Sequence, residues 1–171
     1  MAKTDIYHYV ENDPAYSPEW HWITEDIALG SYPLDGVLNE LLEAGITAII
    51  SMRMDEPDYD PSLFDESLAL LVEDGKPYPF ETLAYGLTFL HRVLTEGHKV
   101  YVHCFAGISR SAFFVASYLM LRDNLEFAEA VARVRSARDK SNPHPALWSD
   151  ELIRLLRENR ARILMGKDDA P

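Results

Sequence analysis

Cys104 and Arg110 are the residues of this chain whose chemistry and spacing stand out, and Cys104 is its only cysteine. Cys104 follows a β-branched and aromatic run, Val100-Tyr101-Val102, which predicts a strand, and it opens a compact turn. Directly after the turn, Ala112-Phe-Phe-Val-Ala-Ser-Tyr-Leu-Met-Leu121 predicts a long apolar helix. A strand that passes straight into a helix leaves the first helical N–H groups without intrahelical partners, and such a helix start binds anions. Gly107 lets the turn bend without a Cβ penalty. A thiol held at a helix start beside an arginine is the kind that ionises. Together these residues describe an anion site with a nucleophilic sulfur in it. The plainer reading is a buried structural cysteine, which leaves the spacing of Gly107 and Arg110 to coincidence.

The string His103-Cys104-x-x-Gly107-x-x-Arg110-Ser111 resembles the signature loop of the cysteine-dependent protein tyrosine phosphatase superfamily. The fuller Ala106-Gly-Ile-Ser-Arg-Ser111 is similar to its dual-specificity branch, as is Ile23-Thr-Glu-Asp-Ile-Ala-Leu-Gly-Ser31 to that branch's opening hairpin. The resemblance implies roles residue by residue. Cys104 would take the phosphoryl group and Arg110 would clamp two of its oxygens. The backbone N–H groups of Phe105, Ala106, Gly107, Ile108, Ser109 and Arg110 would cradle the phosphate. Ser111 would hydrogen-bond the thiolate as it leaves, and His103 would help to fix the loop and the thiolate. No metal and no cofactor is implied.

A general acid is the missing part. Glu73-Asp74-Gly75-Lys76-Pro77 resembles the general-acid loop of the same superfamily, with Asp74 as the acid. Loops that leave the C-terminal ends of parallel strands converge on one site, so Asp74 can reach Cys104. Glu73 is the runner-up acid, and a turn aspartate bonded to its own backbone is the bland alternative. The chain shows no separate tyrosine-recognition loop, which implies a shallow pocket open to phosphoserine and phosphothreonine as well as phosphotyrosine. The loop interior, Phe105-Ala-Gly-Ile-Ser109, lacks the lysines typical of inositol-lipid phosphatases.

The elements that must position these residues read as α/β. Alternating strands and helices predict a central, mostly parallel sheet of about four to five strands flanked by helices, protein tyrosine phosphatase-like. Residues 1–19 read as an extended surface segment. Trp20-His-Trp-Ile-Thr24 and Ile27-Ala-Leu-Gly30 read as short strands. Asp35 is expected to cap a helix through Ala44, and Ile46-Thr-Ala-Ile-Ile50 to form a buried strand. Residues 52–66 hold six acids and two prolines, a loop read either as a solvated charge run or as a selectivity element favouring basic surroundings on the substrate. Arg53 reads as a surface arginine, with substrate phosphate recognition as its alternative. Leu68-Ala-Leu-Leu-Val72 reads as a second buried strand. Pro79 to Glu96 reads as a helix, with Pro at its start and Gly97 as its stop. Arg110 to about Arg122 is expected to be a helix buried on most sides. Asn124 is expected to cap the next, whose basic end (Arg133, Arg135, Arg138) suits the helix dipole. After Asn142-Pro-His-Pro145, a last helix is expected to start at Pro145 and to turn Trp148, Leu152, Leu155 and Leu156 inward; residues 162–171 read as frayed.

The 171 residues, 47% hydrophobic, suit one domain spanning 1–171. A single cysteine excludes an internal disulfide framework and a multi-cysteine metal site, and His8, His21, His91 and His98 show no ligand spacing. The N-terminus does not resemble a signal peptide and no apolar run approaches spanning length. The expectation is a cytoplasmic monomer. The net charge of −12 disfavours nucleic acid and anionic lipid as partners, though plain solubility explains it equally well. The expected substrate is a phosphorylated protein. The alternatives are a non-protein phosphomonoester (sugar phosphate, lipid or RNA 5′ end) and an inactive phosphopeptide-binding module.

Overall fold

In a computed structural model that describes residues 13–14 and 16–165, five strands form one sheet in the order β1-β2-β5-β3-β4. They are β1 (Trp20–Trp22), β2 (Ile27–Gly30), β3 (Ala48–Arg53), β4 (Glu66–Leu71) and β5 (Val100–His103). Only the β1–β2 pair is antiparallel; β2–β5, β5–β3 and β3–β4 run parallel. The strand Val100–His103 therefore sits at the centre, and all four parallel strands deliver their C-terminal ends to one edge of the sheet. Ligand sites of open parallel sheets lie at that edge.

The period of two decides what covers each face. Ile27, Leu29, Ala48, Ile50, Met52, Val100 and Val102 point to one side, where they pack with α2 (Phe80–Thr95), α3 (Arg110–Asp123), α4 (Phe127–Ala137), α5 (Asp150–Glu158) and α6 (Arg160–Met165). Ala28, Ile49 and Tyr101 point to the other, against α1 (Asp35–Glu43) and the acidic loop's Tyr59 and Phe64. Every residue of α3 from Arg110 to Leu121 is buried. A helix apolar on all sides has no solvent face to offer, so it must run through the middle of the molecule. The loop between β5 and α3 is thereby gripped by two deeply buried elements of the fold.

Several expectations about element ends are corrected. Leu34, not Asp35, is the N-cap of α1. The strand 66–71 lies at the sheet edge with only Leu70 buried, so it is not the buried strand expected over 68–72. Asn124 ends α3 in the left-handed region (φ 53°) instead of starting α4, which Glu126 and Glu129 cap reciprocally. Pro145 opens a short 3₁₀ turn through Leu147, and the helix starts only at Asp150, capped by Ser149. Fraying was expected over 162–171, but the helix Arg160–Met165 runs on through 162–165 with Ile163 buried, and 166–171 lie outside the described residues. His8 and most of the expected extended segment lie outside the described residues. No described helix is long and apolar enough to cross a membrane.

Candidate active site

Cys104 directly follows β5 and is 2% exposed. Its Sγ lies 3.3 Å from the Oγ of Ser111, the second residue of α3, where a hydroxyl can donate to a thiolate. No side chain caps α3; the Ser109 hydroxyl instead accepts from the His144 N–H at 3.1 Å. The first N–H groups of α3 are thus left to whatever lies in front of them, as an anion site requires.

The loop between Cys104 and Arg110 is oriented by its carbonyls. In a trans peptide, C=O and the next residue's N–H point in opposite directions, so a carbonyl tied to one side turns that N–H to the other. Five consecutive carbonyls are tied. The Cys104 oxygen accepts from His103 Nδ1–H at 2.9 Å. The Phe105 oxygen accepts from the Tyr32 N–H at 2.8 Å. Those of Ala106 and Gly107 accept from Arg138, at 3.4 and 3.2 Å. The Ile108 oxygen accepts from the Asn142 N–H at 2.8 Å. The N–H groups of Phe105, Ala106, Gly107, Ile108 and Ser109 therefore face the opposite side. Gly107 has φ +66°, and a Cβ there would overlap the backbone of Gly30, so the loop can lie against the end of β2 only with glycine at this position.

A cavity of about 430 Å³ opens over this loop, lined by Cys104, Phe105, Ala106, Ile108, Ser109 and Arg110 and by Arg53, Met54, Asp55, Asp74 and Asp13. Arg110 has its guanidinium anchored by Nη1–H donating to the Val72 carbonyl at 3.2 Å. Its Nε is buried without a hydrogen-bond partner among the described residues and lies 3.9 Å from Asp74 Oδ1. Tyr78 steadies the same residue by donating to the Arg110 carbonyl. Asp74 projects from the loop after β4 with its side chain 59% exposed. Its Oδ1 also accepts from the Gly75 N–H at 3.0 Å, so the turn-aspartate reading and the position over the cavity hold together. Glu73 pairs with Lys76 in solvent and does not line the cavity.

His103 is fully buried and held neutral. Burial is the largest cause of a pKa lowered to about 3, with the positive charges of Arg53 and Arg110 adding to it against the pull of the Cys104 carbonyl. With the proton on Nδ1, Nε2 accepts from the Tyr59 hydroxyl at 2.8 Å. Burial raises the Tyr59 phenol, which keeps it a donor. The acidic loop thus reaches under the cavity through Tyr59, a link that no spacing in the sequence announces.

Arg53 corrects the surface reading. Its side chain is 11% exposed, lies over the Tyr32 ring at 4.8 Å, pairs with Asp55 at 3.0 Å and lines the cavity. The structure brings together every site residue expected from the sequence. It adds Tyr32, Tyr59, Arg53, Tyr78, Arg138 and Asn142, of which only Arg53 carried a signal, as an arginine just beyond a strand end. Away from the cavity, Glu66, Glu96 and His98 approach one another as metal-type side chains do. Arg92 already holds both carboxylates, and His98 Nδ1 meets Thr47.

Residues 27–164 match the family described as dual specificity phosphatase, catalytic domain. The chain belongs to that family. The chain is 30% identical over 154 residues to the phosphatidylglycerophosphate phosphatase PTPMT1 of Arabidopsis thaliana, covering 85% of itself and 45% of that relative. It is 33% identical over 101 residues to dual specificity protein phosphatase 12 of Homo sapiens, covering 57% and 30%. The chain thus spans less than half the length of either curated relative. The crystal structure of PTPMT1 in complex with PI(5)P superposes with a TM-score of 0.70 at 26% identity, over 86% of this chain and 97% of that one.

Proposed function

We propose that the chain is a phosphoric monoester hydrolase acting on phosphorylated proteins, with phosphotyrosine, phosphoserine and phosphothreonine all admitted. The observation that carries the chemistry is the convergence of Cys104, Arg110 and Asp74 on one cavity floored by inward N–H groups. The Cys104 thiolate attacks phosphorus in line; the S–P bond forms as the bond to the leaving oxygen breaks. Arg110 and the N–H groups of Phe105 to Arg110 take up the charge on the equatorial oxygens. Asp74 gives its proton to the leaving oxygen. As a carboxylate it then draws a proton from the water that attacks phosphocysteine, and Ser111 donates to the departing thiolate. A cytoplasmic setting belongs to this reading, since a reducing compartment keeps a lone nucleophilic thiol intact.

Protein over lipid is favoured by the cavity's mouth. Asp13, Asp55 and Asp74 line it on a chain of net charge −12. Anionic membrane surfaces repel such a face, whereas basic stretches of a protein do not. The second reading, a lipid or small phosphomonoester, draws support from the PTPMT1 relatives and from Arg53 as a second cation at the cavity. The test is kcat/KM on phosphotyrosine and phosphothreonine peptides beside phosphatidylglycerophosphate in vesicles, inositol phosphates and sugar phosphates. Peptides are expected to lead by at least tenfold; a lipid or sugar phosphate in first place overturns the protein reading.

A further inference from the structure

We propose that Arg138 is the positioning residue of the phosphate cradle, holding two of its N–H groups on target from behind; this rests on the phosphatase reading of the loop. Arg138 follows the last residue of α4, and its extended backbone (φ −142°, ψ 99°) turns the chain inward. It is 1% exposed, among the most enclosed large side chains of the fold. Its Nη2 and Nε donate to the Ala106 and Gly107 carbonyls, and those two bonds aim the N–H groups of Gly107 and Ile108. Its Nη1 donates at 3.2 Å to the Glu19 carbonyl and at 2.9 Å to His21 Nδ1, which ties the guanidinium to the start of β1.

Two arguments make this more than packing. A guanidinium presents five N–H donors in a rigid fork over three nitrogens, so it holds adjacent carbonyls in a fixed geometry, where a lysine's three donors turn freely about one nitrogen. Among the described residues its hydrogen-bond acceptors are uncharged: three carbonyls and an imidazole nitrogen. Burial works against the charged guanidinium, and the fields of Tyr101, Glu19, Cys104 and Asp139 work for it. Of these, Cys104 is the one that the cradle surrounds, and a bound phosphate would add its charge there. Arg138 thus lends charge from outside the loop while its bonds set the loop's shape, and it never touches the substrate.

The experiment compares wild type with Arg138→Met and Arg138→Lys by kcat/KM on an aryl phosphate and by the inhibition constant of vanadate, which adopts the five-coordinate geometry of phosphoryl transfer. Urea unfolding confirms that each variant is folded at the assay temperature. Misplaced cradle groups are expected to lower kcat/KM by about 10–100-fold in Arg138→Met and to weaken vanadate by a similar factor. Arg138→Lys is expected to recover only part of both. A residue that merely stabilises the fold would lower the urea midpoint and leave vanadate inhibition of the folded enzyme unchanged. Folded Arg138→Met with wild-type kcat/KM and vanadate inhibition overturns the proposal. If that variant does not fold, Arg138→Lys is judged by the same two numbers. If neither folds, the Arg138 Nε–H signal of the wild type decides: it is expected to shift when vanadate binds, and an unmoved signal overturns the proposal. A wild type that neither turns over aryl phosphate nor binds vanadate would instead refute the phosphatase reading itself.

Discussion

Acid should destabilise this protein through one buried imidazole. Unfolded, His103 takes a proton near its ordinary 6.5; folded, it resists protonation down to about 3. Below pH 6.5 the unfolded state therefore binds a proton that the folded state refuses. Stability rises with pH up to about 6.5, where the imidazole is neutral in both states, and is lost as pH falls from there towards 3. At roughly 1.4 kcal/mol per pH unit, going from pH 7 to pH 4.5 removes about 2.5 kcal/mol through His103 alone. That is a sizeable share of an ordinary domain's stability. Other groups titrate over the same range, so the effect is isolated by difference. His103→Gln keeps an N–H for the Cys104 carbonyl and does not titrate. Urea unfolding of both proteins at pH 7 and pH 4.5 should show the wild type losing about 2.5 kcal/mol more than the variant, a midpoint difference of roughly 1–2 M. Equal losses would mean that His103 takes a proton in the folded state, and the neutral Tyr59–His103–Cys104 chain would be wrong.

Asp74→Asn keeps an acceptor for the Gly75 N–H, so the turn should hold its shape while the proton is lost. A fall in kcat of about 10²–10⁴ is expected, larger for alkyl than for aryl phosphates, whose leaving groups need less protonation; a harmless Asp74→Asn beside a crippling Glu73→Gln would move the acid to Glu73. Gly107→Ala must hold alanine at φ +66° against the Gly30 backbone, so at least 1–2 kcal/mol of stability should go by urea unfolding, with kcat/KM falling alongside; an unchanged variant would show that the loop does not rest on β2.

The strand, turn and helix around Cys104 were legible because their signals are local: a β-branched run, a glycine, then an apolar stretch. Alternating strands and helices likewise implied the parallel sheet. Burial of a strand was harder to read, because it depends on sheet order. Leu68-Ala-Leu-Leu reads like an interior strand yet sits at the edge, where Leu71 is half exposed. Caps moved by a residue or two because several polar residues compete for each helix start, as Asn124 and Glu126 did. Arg53 looked like a surface arginine since nothing local reveals that Tyr32 lies beneath it. Arg138 was hidden among three arginines at one helix end. Its partners lie thirty-one residues back at Gly107 and on the segment before β1, and only the fold joins them.

The central claim is that Cys104 carries the phosphoryl group. Asp74→Asn enzyme, slow to hydrolyse its intermediate, is mixed with an aryl phosphate, quenched in acid within the first turnover, and digested for mass mapping. One phosphoryl group is expected on the peptide containing Cys104, and none on the Cys104→Ser protein, which should also be inactive. Turnover with no adduct at Cys104, or activity retained in Cys104→Ser, would contradict it.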